Sequence, residues 1–477
     1  MAAHVQAVSL DVYDQGKWPG GVWLTAASIK AAAATVASGL MNYYHGNESG
    51  YTPGVFTGGY YWWESGAAWG SMIDYWYYTG DDTWNDLCKQ GMLFQVGEND
   101  NYEPANQTLS LGNDDQGFWG ISAMEAAERN FTNPDSDDPQ WLALAQAVFN
   151  SIALVWDTNY CGGGVRWQKF TFNNGYDYKN SISNGVLFQL GARLARYTGN
   201  DSYADWANKV WDWMSDENLY NQTYSFVYDG AYVTDNCSAV NQVQWTYNAG
   251  VMMAGAAYMY NYTVETNGTT DSAEAQLWKS RLDGFVSSLS IFFFNKVMYE
   301  PACEPSGSCN TDERSFKAYL SRWIGATMQL ADYTRDTLYP YIATSAAAAA
   351  QTCVGGSDGV TCGFTWLQSG WDGNYGLGEQ MCALEVIQAL LVNATASPYT
   401  ETTGGTSPGD AAAGTSGSTS SSKKSSTTTR KDKIEASIIT AVVVLFLSVL
   451  AVWLVLEDRS PEEKLQARRR GWLRVSA

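Results

Sequence analysis

A helical hairpin recurs along this chain. Each copy has a polar or aromatic start, a Gly- and Ala-rich helical stretch, an aromatic followed by Thr, Asn, Gly or Asp, then a second helical stretch carrying Trp. The clearest copies run from Glu64 to Asp82, Asn180 to Asp201 and Gln244 to Thr263, with weaker ones at Asn113 to Asn133, Arg314 to Asp336 and Gly376 to Ala394. Their turns lie roughly 50 to 70 residues apart, the length of a hairpin plus a long loop. Small residues such as Gly66, Ala67, Ala68 and Gly70 let helices converge, whereas Trp141 to Trp156 and Tyr203 to Met214 place Leu, Val and Trp at three- and four-residue spacing, as amphipathic helices do. Twelve helical stretches can be counted from Thr25 to Tyr44 onward. Their alternation predicts an all-α fold, an (α/α)6 toroid of six inner, small-residue helices and six outer, amphipathic ones.

In such a ring the inner helices begin at one rim, and the long loops collect there. These loops carry Thr57-Gly58-Gly59-Tyr60-Tyr61-Trp62-Trp63, Cys161-Gly162-Gly163-Gly164-Val165-Arg166-Trp167 and Gln368-Ser369-Gly370-Trp371-Asp372-Gly373. The chain holds 21 Trp, 30 Tyr and 16 Phe in 477 residues, more aromatic surface than a core requires, so the rim is expected to form a groove on which sugar rings stack. Only two His are present, which argues against His-triad hydrolases and His-ligated zinc. The 49 acidic residues outnumber the 28 basic ones, and the excess lies before Pro398, which disfavours nucleic acid as a partner.

The C-terminal part has a different composition. A Ser-, Thr- and Gly-rich stretch from Glu401 to Thr429 suits an O-glycosylated stalk. Ala436 to Leu456 contains no charge, and as a helix it spans about 31 Å, one bilayer core. The domain plan is therefore a catalytic toroid over 1–397, a stalk over 398–433, a transmembrane helix over 434–456 and a basic cytoplasmic tail over 457–477. All eight Cys and nine Asn-x-Ser/Thr acceptors precede the span, which places the large domain outside the cytoplasm, at the plasma membrane or cell surface. The close pairs Cys303/Cys309 and Cys353/Cys362 are suited to closing small loops. Met1 to Leu10 shows no basic flank followed by an apolar run, so the signal peptide that export requires is not visible in this chain.

The sharpest local signal is Leu111-Gly112-Asn113-Asp114-Asp115-Gln116-Gly117-Phe118-Trp119-Gly120 at the start of an inner helix. Asn113 reads as the N-cap, and carboxylates in a first turn are favoured by the helix dipole alone. At a rim lined with aromatics the same pair suits glycoside hydrolysis, which uses one carboxylate as nucleophile or base and one carboxylic acid as proton donor, about 5 to 5.5 Å apart for retention. Repulsion within the pair and shielding by Phe118 or Trp119 would keep one of them protonated near neutrality. A magnesium site would call for a further carboxylate in the next turn, and Gln116-Gly117-Phe118 has none, so neither metal nor cofactor is expected.

The NDDQGFWG segment, Gly58 to Glu64, CGGGVRWQ at Cys161 to Gln168 and Ser183 to Gly185 resemble glycoside hydrolase family 76, in its fungal cell-wall branch of endo-α-1,6-mannanase-like proteins. The resemblance covers about Leu10 to Ala396. It implies an (α/α)6 fold and a retaining mechanism, with Asp114 as nucleophile and Asp115 as general acid and then base. It also implies action on the mannose core of glycosylphosphatidylinositol anchors, with transfer of the anchored proteins onto cell-wall glucan as acceptor. Hydrolysis of α-1,6-mannan is the alternative within the same site, and a non-catalytic glycan-binding wall protein is the alternative from another class. Tyr60, Trp62 and Trp119 are candidates to stack on mannose, Asn184, Tyr247 and Asn248 to bond its hydroxyls, and Glu64 to serve as reserve acid. Lys317 and Arg322 are candidates to meet an anchor phosphate or else to pair with nearby carboxylates.

Overall fold

The computed structural model describes residues 25–415. Twelve α-helices lie within them: α1 (Ala26–Met41), α2 (Trp62–Thr79), α3 (Asn85–Phe94), α4 (Asn113–Glu128), α5 (Trp141–Leu154), α6 (Ser181–Thr198), α7 (Asp201–Asp216), α8 (Thr246–Asn267), α9 (Ala273–Ser288), α10 (Phe316–Leu330), α11 (Arg335–Thr352) and α12 (Leu377–Gln388). The even-numbered helices touch in sequence, and α12 returns to α2, closing a ring. The odd-numbered helices pack outside it, as α5 does on α4, α7 on α6 and α9 on α8. Every residue of α10 and α12 is buried, whereas α7 buries one stripe: Tyr203, Ala204, Ala207, Val210, Trp211, Trp213 and Met214.

The hairpin signal has a local cause. The Tyr-Thr-Gly turns end helices α2 and α6 with Gly80 and Gly199 in the left-handed conformation, at φ 76° and 68°, where a side chain would be strained. Small residues do allow close approach: a Cβ at Gly255 of α8 would lie 2.3 Å from the Phe188 ring of α6. They do not, however, separate the two rings. The Ala-rich helices α1 and α11 are outer, α1 lying against α12 and α2, and α11 against α12 and α10. Small side chains therefore mark tight packing on either side of the ring rather than membership of its inner layer.

The lower halves of the inner helices meet in a buried ionic knot. Arg193 of α6 donates to Glu125 and Glu128 of α4, Arg129 lies against Glu125 and Asp74, and Arg322 of α10 pairs with Asp74 of α2 and Glu385 of α12. Tyr258 of α8 completes the circle by donating to Glu128. All six inner helices are thus tied at one level.

The packed chain does not stop at residue 397. Tyr399 N donates to the Glu128 carbonyl, Glu401 N to that of Tyr197, Leu142 N to Ser407 Oγ, Asp410 N to Gln146 Oε1, and Asn150 Nδ2 to the carbonyls of Ala411 and Ala413, so residues 399–413 lie as a strap over the ends of α4 and α6 and along α5. Thr400, Ser407 and Ala413 are buried in it. Polar composition suggested a free stalk, but these backbone and hydroxyl groups find partners on the domain. Disulfides join Cys303 to Cys309 and Cys353 to Cys362, as spacing suggested, and Cys161 to Cys237, which spacing did not indicate. Cys88 and Cys382 are free and buried. Among the described residues no helix is long and apolar enough to cross a membrane; the span expected at 434–456 and the tail at 457–477 lie outside them.

Candidate active site

The start of α4 is held by the loop that precedes α6. Asn113 N donates to the Trp167 carbonyl and Asn113 Nδ2 to that of Arg166, while Lys169 N donates to the Leu111 carbonyl. Gly112, not Asn113, is the N-cap, and its N–H donates to the Asp115 carboxylate at 2.7 Å. A Cβ at Gly112 would lie 2.2 Å from Asp114 Oδ1, so any larger residue would push that carboxylate aside. The Cys161–Cys237 disulfide and the bond from Cys161 N to Asn236 Oδ1 anchor the far end of that loop.

Asp114 and Asp115 open into a cleft of about 220 Å³ walled by Trp63, Phe118, Trp167, Tyr178, Trp245, Tyr247 and Phe316. Several of these stand at inner-helix starts: Trp63 on α2, Tyr247 on α8 and Phe316 on α10. The helix N-termini converging here carry partial positive charge, which favours carboxylates. Tyr247 and Phe316 lie face to face, 3.8 Å between ring centres.

The two aspartates are not equivalent. Asp114 accepts from Asn180 Nδ2 at 3.0 Å and from the Asp115 N–H at 3.0 Å. Asn180 is itself the N-cap of α6: its Oδ1 accepts from Ser183 N, which turns the amide nitrogen toward Asp114. Burial lifts Asp114 to about 7, and these hydrogen bonds oppose the rise. Asp115 is raised well above the usual carboxylate range, by burial first and by the adjacent charge of Asp114 second. The arrangement favours an anionic Asp114 beside a protonated Asp115, the states a nucleophile and an acid need.

Three further carboxylates reach the cleft that sequence reasoning did not single out: Asp229, Asp312 and Glu313. Asp312 accepts from Trp63 Nε1 at 3.1 Å and is lifted by burial to about 6. Asp229 gathers the Tyr178 hydroxyl, Trp245 Nε1 and Asn241 Nδ2 around one carboxylate. Asn180, placed at the start of a hairpin copy, had a helix-start signal but nothing that pointed it at Asp114. Asp229 and Asp312 lie in loops without periodicity, and only the folded ring brings them to the rim.

Of the other expected residues, Tyr247 lines the cleft, and Trp62 lines its continuation beside Asp115. Trp119 is wholly buried between Trp62 and Tyr102, so it supports the wall and offers no face to a sugar. Tyr60 accepts from Leu377 N through its hydroxyl and lies outside the cleft lining. Glu64 is buried at the first turn of α2, accepting from Tyr61 N, and burial pushes it well above its ordinary value. Asn184 is a structural brace, bonding both the N–H and the carbonyl of Val165 and the carbonyl of Asn180. Asn248 is buried in α8, away from the cleft lining. Lys317 is buried against Glu304 and the Phe364 carbonyl, and Arg322 belongs to the ionic knot, so neither is free to meet a phosphate.

The sequence profile of glycosyl hydrolase family 76 matches residues 28–402. The chain is 51% identical to mannan endo-1,6-alpha-mannosidase DCW1 of Saccharomyces cerevisiae, over 90% of this chain and 93% of that protein. It is 47% identical to mannan endo-1,6-alpha-mannosidase DFG5 of the same yeast, over 90% and 92%. Among solved structures, Dfg5 from Chaetomium thermophilum in complex with glucosamine aligns with TM-score 0.77 and 44% identity, covering 82% of this chain and 96% of that one. An inactive variant of a Salegentibacter alpha-1,6-mannanase, with two adjacent aspartates replaced and alpha-1,6-mannotriose bound, shares the fold at TM-score 0.60 and 18% identity, covering 76% and 99%. With its ring of inner helices, its aromatic cleft and its adjacent aspartates, this chain belongs to glycosyl hydrolase family 76.

Proposed function

We propose that the protein is a retaining α-mannosidase-type transglycosidase that acts on the mannose core of glycosylphosphatidylinositol-anchored proteins and passes the glycosyl group to cell-wall glucan. The observation that carries the retaining mechanism is the unequal bonding of the aspartate pair, and the fungal relatives support an α-mannoside as donor. Asp114, stabilised as an anion by Asn180, attacks the anomeric carbon while Asp115 donates its proton to the departing glycosidic oxygen. A mannosyl ester on Asp114 results. Asp115, now a carboxylate, takes the proton of an acceptor hydroxyl; that oxygen bonds to the anomeric carbon, and the ester bond breaks to restore Asp114.

Hydrolysis of α-1,6-mannan by the same residues is the second reading, favoured by the names of the yeast relatives. Incubating the purified protein with an anchor-glycan donor, with and without glucan oligosaccharide, separates the two. Transfer predicts a donor–glucan adduct that grows with acceptor, whereas free mannosyl product regardless of acceptor means hydrolysis. A non-catalytic glycan-binding role would leave cellular function intact in Asp114→Asn and Asp115→Asn variants.

The three disulfides support an oxidising compartment. With the uncharged run at 436–456 of the sequence, they support our reading of an enzyme at the outer face of the plasma membrane with a cytoplasmic tail at 457–477.

A further inference from the structure

Each outer helix ends, and the next inner helix begins, on the side of the ring where the aspartates lie, so the long loops all stand there. Among the described residues, the exposed large apolar side chains fall on these loops or on the helix ends beside them, with only Leu277 and Tyr333 elsewhere. Single exposed leucines need no explanation, but a one-sided crowd of apolar groups marks a contact surface. Its most exposed members are Leu109 at 82%, Leu154 at 70% and Phe172 at 66%. They are neighbours across the segment that grips α4. Asn173 Nδ2 donates to Gln168 Oε1 at 3.0 Å and to the Thr108 carbonyl at 3.4 Å, which holds the loop of Phe172 against that of Leu109. On the far side of Gln168, Val155 lines a hollow with Asn113, so the exposed end of α5 stands level with the start of α4. Leucine and valine offer a sugar neither a flat face nor a hydrogen bond, so a polysaccharide does not account for this group.

The strap leads the chain toward the same side. It meets α5 in the first turn, where Leu142 N donates to Ser407 Oγ, and advances to Asn150, one turn before Leu154, which holds the carbonyls of Ala411 and Ala413. Gly414 lies against Ala147, so the described chain leaves the domain within about two turns of Leu154. In the sequence the uncharged run at 436–456 follows about 20 residues later. We infer that the loop side of the ring rests on a lipid surface without net charge, with Leu109, Leu154, Val155 and Phe172 entering its headgroup layer. The inference deepens the proposed function and rests on its reading of the donor as membrane-borne and of the uncharged run as the anchor. Tyr61 and Trp167, exposed on the same side, are of the kind that settles at a membrane interface. The net charge of −21 opposes a surface rich in anionic lipid, so apolar contact is the term that holds the loops down. The cleft opens among these loops, and a donor glycan rising from the same lipid layer reaches the aspartates without leaving it.

The test places the full chain in phosphatidylcholine vesicles and carries a nitrobenzoxadiazole probe on Leu109→Cys, Leu154→Cys or Phe172→Cys, with Leu277→Cys on α9 as the control. Disulfides and the burial of Cys88 and Cys382 keep the native cysteines from the label. The expected result is blue-shifted emission at the three loop-side positions, lost when headgroup-nitroxide lipid is included, with neither change at Leu277. Loop-side emission that matches the control would overturn the inference, as would a response to β-1,3-glucan oligosaccharide in place of lipid. Flotation of the same samples reports on the anchor separately: protein that stays behind refutes the anchoring reading, and the shift on adding vesicles still decides about the loops. Leu154→Asp combined with Phe172→Asp is expected to lower action on a donor carried in vesicles by about tenfold, and on a soluble donor glycan by less than about twofold. Equal loss on both, or loss on neither, would contradict the inference. Should wild type consume no donor, the glycosidase reading fails and the probe measurement alone decides.

Discussion

Asp114 accepts from a side-chain amide and a backbone N–H, while Asp115 accepts from the backbone of Gly112 and lies beside a charge, so burial raises both groups but the second further. A rate that needs Asp114 ionised and Asp115 protonated is bell-shaped in pH, its acidic limb set by Asp114 near 7. Replacing Asn180 by Ala removes a donor that favours the anion, so the acidic limb of the profile is expected to move to higher pH; loss of a cap alone would leave the limb in place. Asp115→Asn is expected to lower turnover of an alkyl mannoside by about 10² to 10⁴-fold and to be rescued in the glycosylation step by a leaving group that needs no proton. Asp114→Asn gains no such rescue. The raised Asp114 also bears on stability. Between the unfolded carboxylate value of about 3.9 and the folded value near 7 the native state binds the extra proton, so stability falls as pH rises through that window. Asp114→Asn is expected to flatten this slope in calorimetric melts taken from pH 4 to 8.

At the scale of the element, the turn that carries Asp114 and Asp115 is only as fixed as the loop that grips it. Residues 166–169 bond Leu111 and Asn113, and that loop is tied to the segment before α8 through Cys161–Cys237. Replacing both cysteines by Ser is expected to cost about 2 to 5 kcal/mol, seen as a lower denaturant midpoint, and to reduce turnover in molecules that remain folded. The elements differ in how far the sequence announced them. The Tyr-Thr-Gly turns encode helix ends by a backbone requirement local to three residues, and they were legible. The N-cap at Gly112 was not: the sequence offers Asn113, a better capping side chain, but the loop at 166–169 draws that amide into a tertiary bond and leaves the cap to glycine. Pairing of Cys161 with Cys237 spans 76 residues and depends on a contact no local pattern records.

Across the whole molecule, the ring divides its polar groups by depth, with the aspartate cleft at the inner-helix starts and the ionic knot further down the same helices. Arg193→Met would leave Glu125 and Glu128 short of a partner in a dry interior, and is expected to cost about 3 to 5 kcal/mol in equilibrium unfolding while turnover per folded molecule stays within about twofold. The knot explains why Arg322, read from sequence as a possible phosphate contact, faces carboxylates: a basic residue on an inner helix looks the same in sequence at either depth, and only the closed ring decides. The helix count, and the place of Asp114 and Asp115 in the first turn of an inner helix, followed from periodicity and spacing. The cleft walls at Asp229, Asp312 and Trp245 did not, because they lie on loops whose meeting point is set by ring closure. The strap at 399–413 was hidden for a related reason, since its contacts are backbone and hydroxyl bonds that low-complexity composition does not distinguish from solvation.

The proposed mechanism requires that Asp114 become covalently glycosylated. Trapping the enzyme with an activated fluorinated mannoside that slows the second step, followed by peptide mapping in a mass spectrometer, tests it directly. One glycosyl adduct located on Asp114 is expected; an adduct on Asp115, Glu64 or any other carboxylate would refute its role as nucleophile.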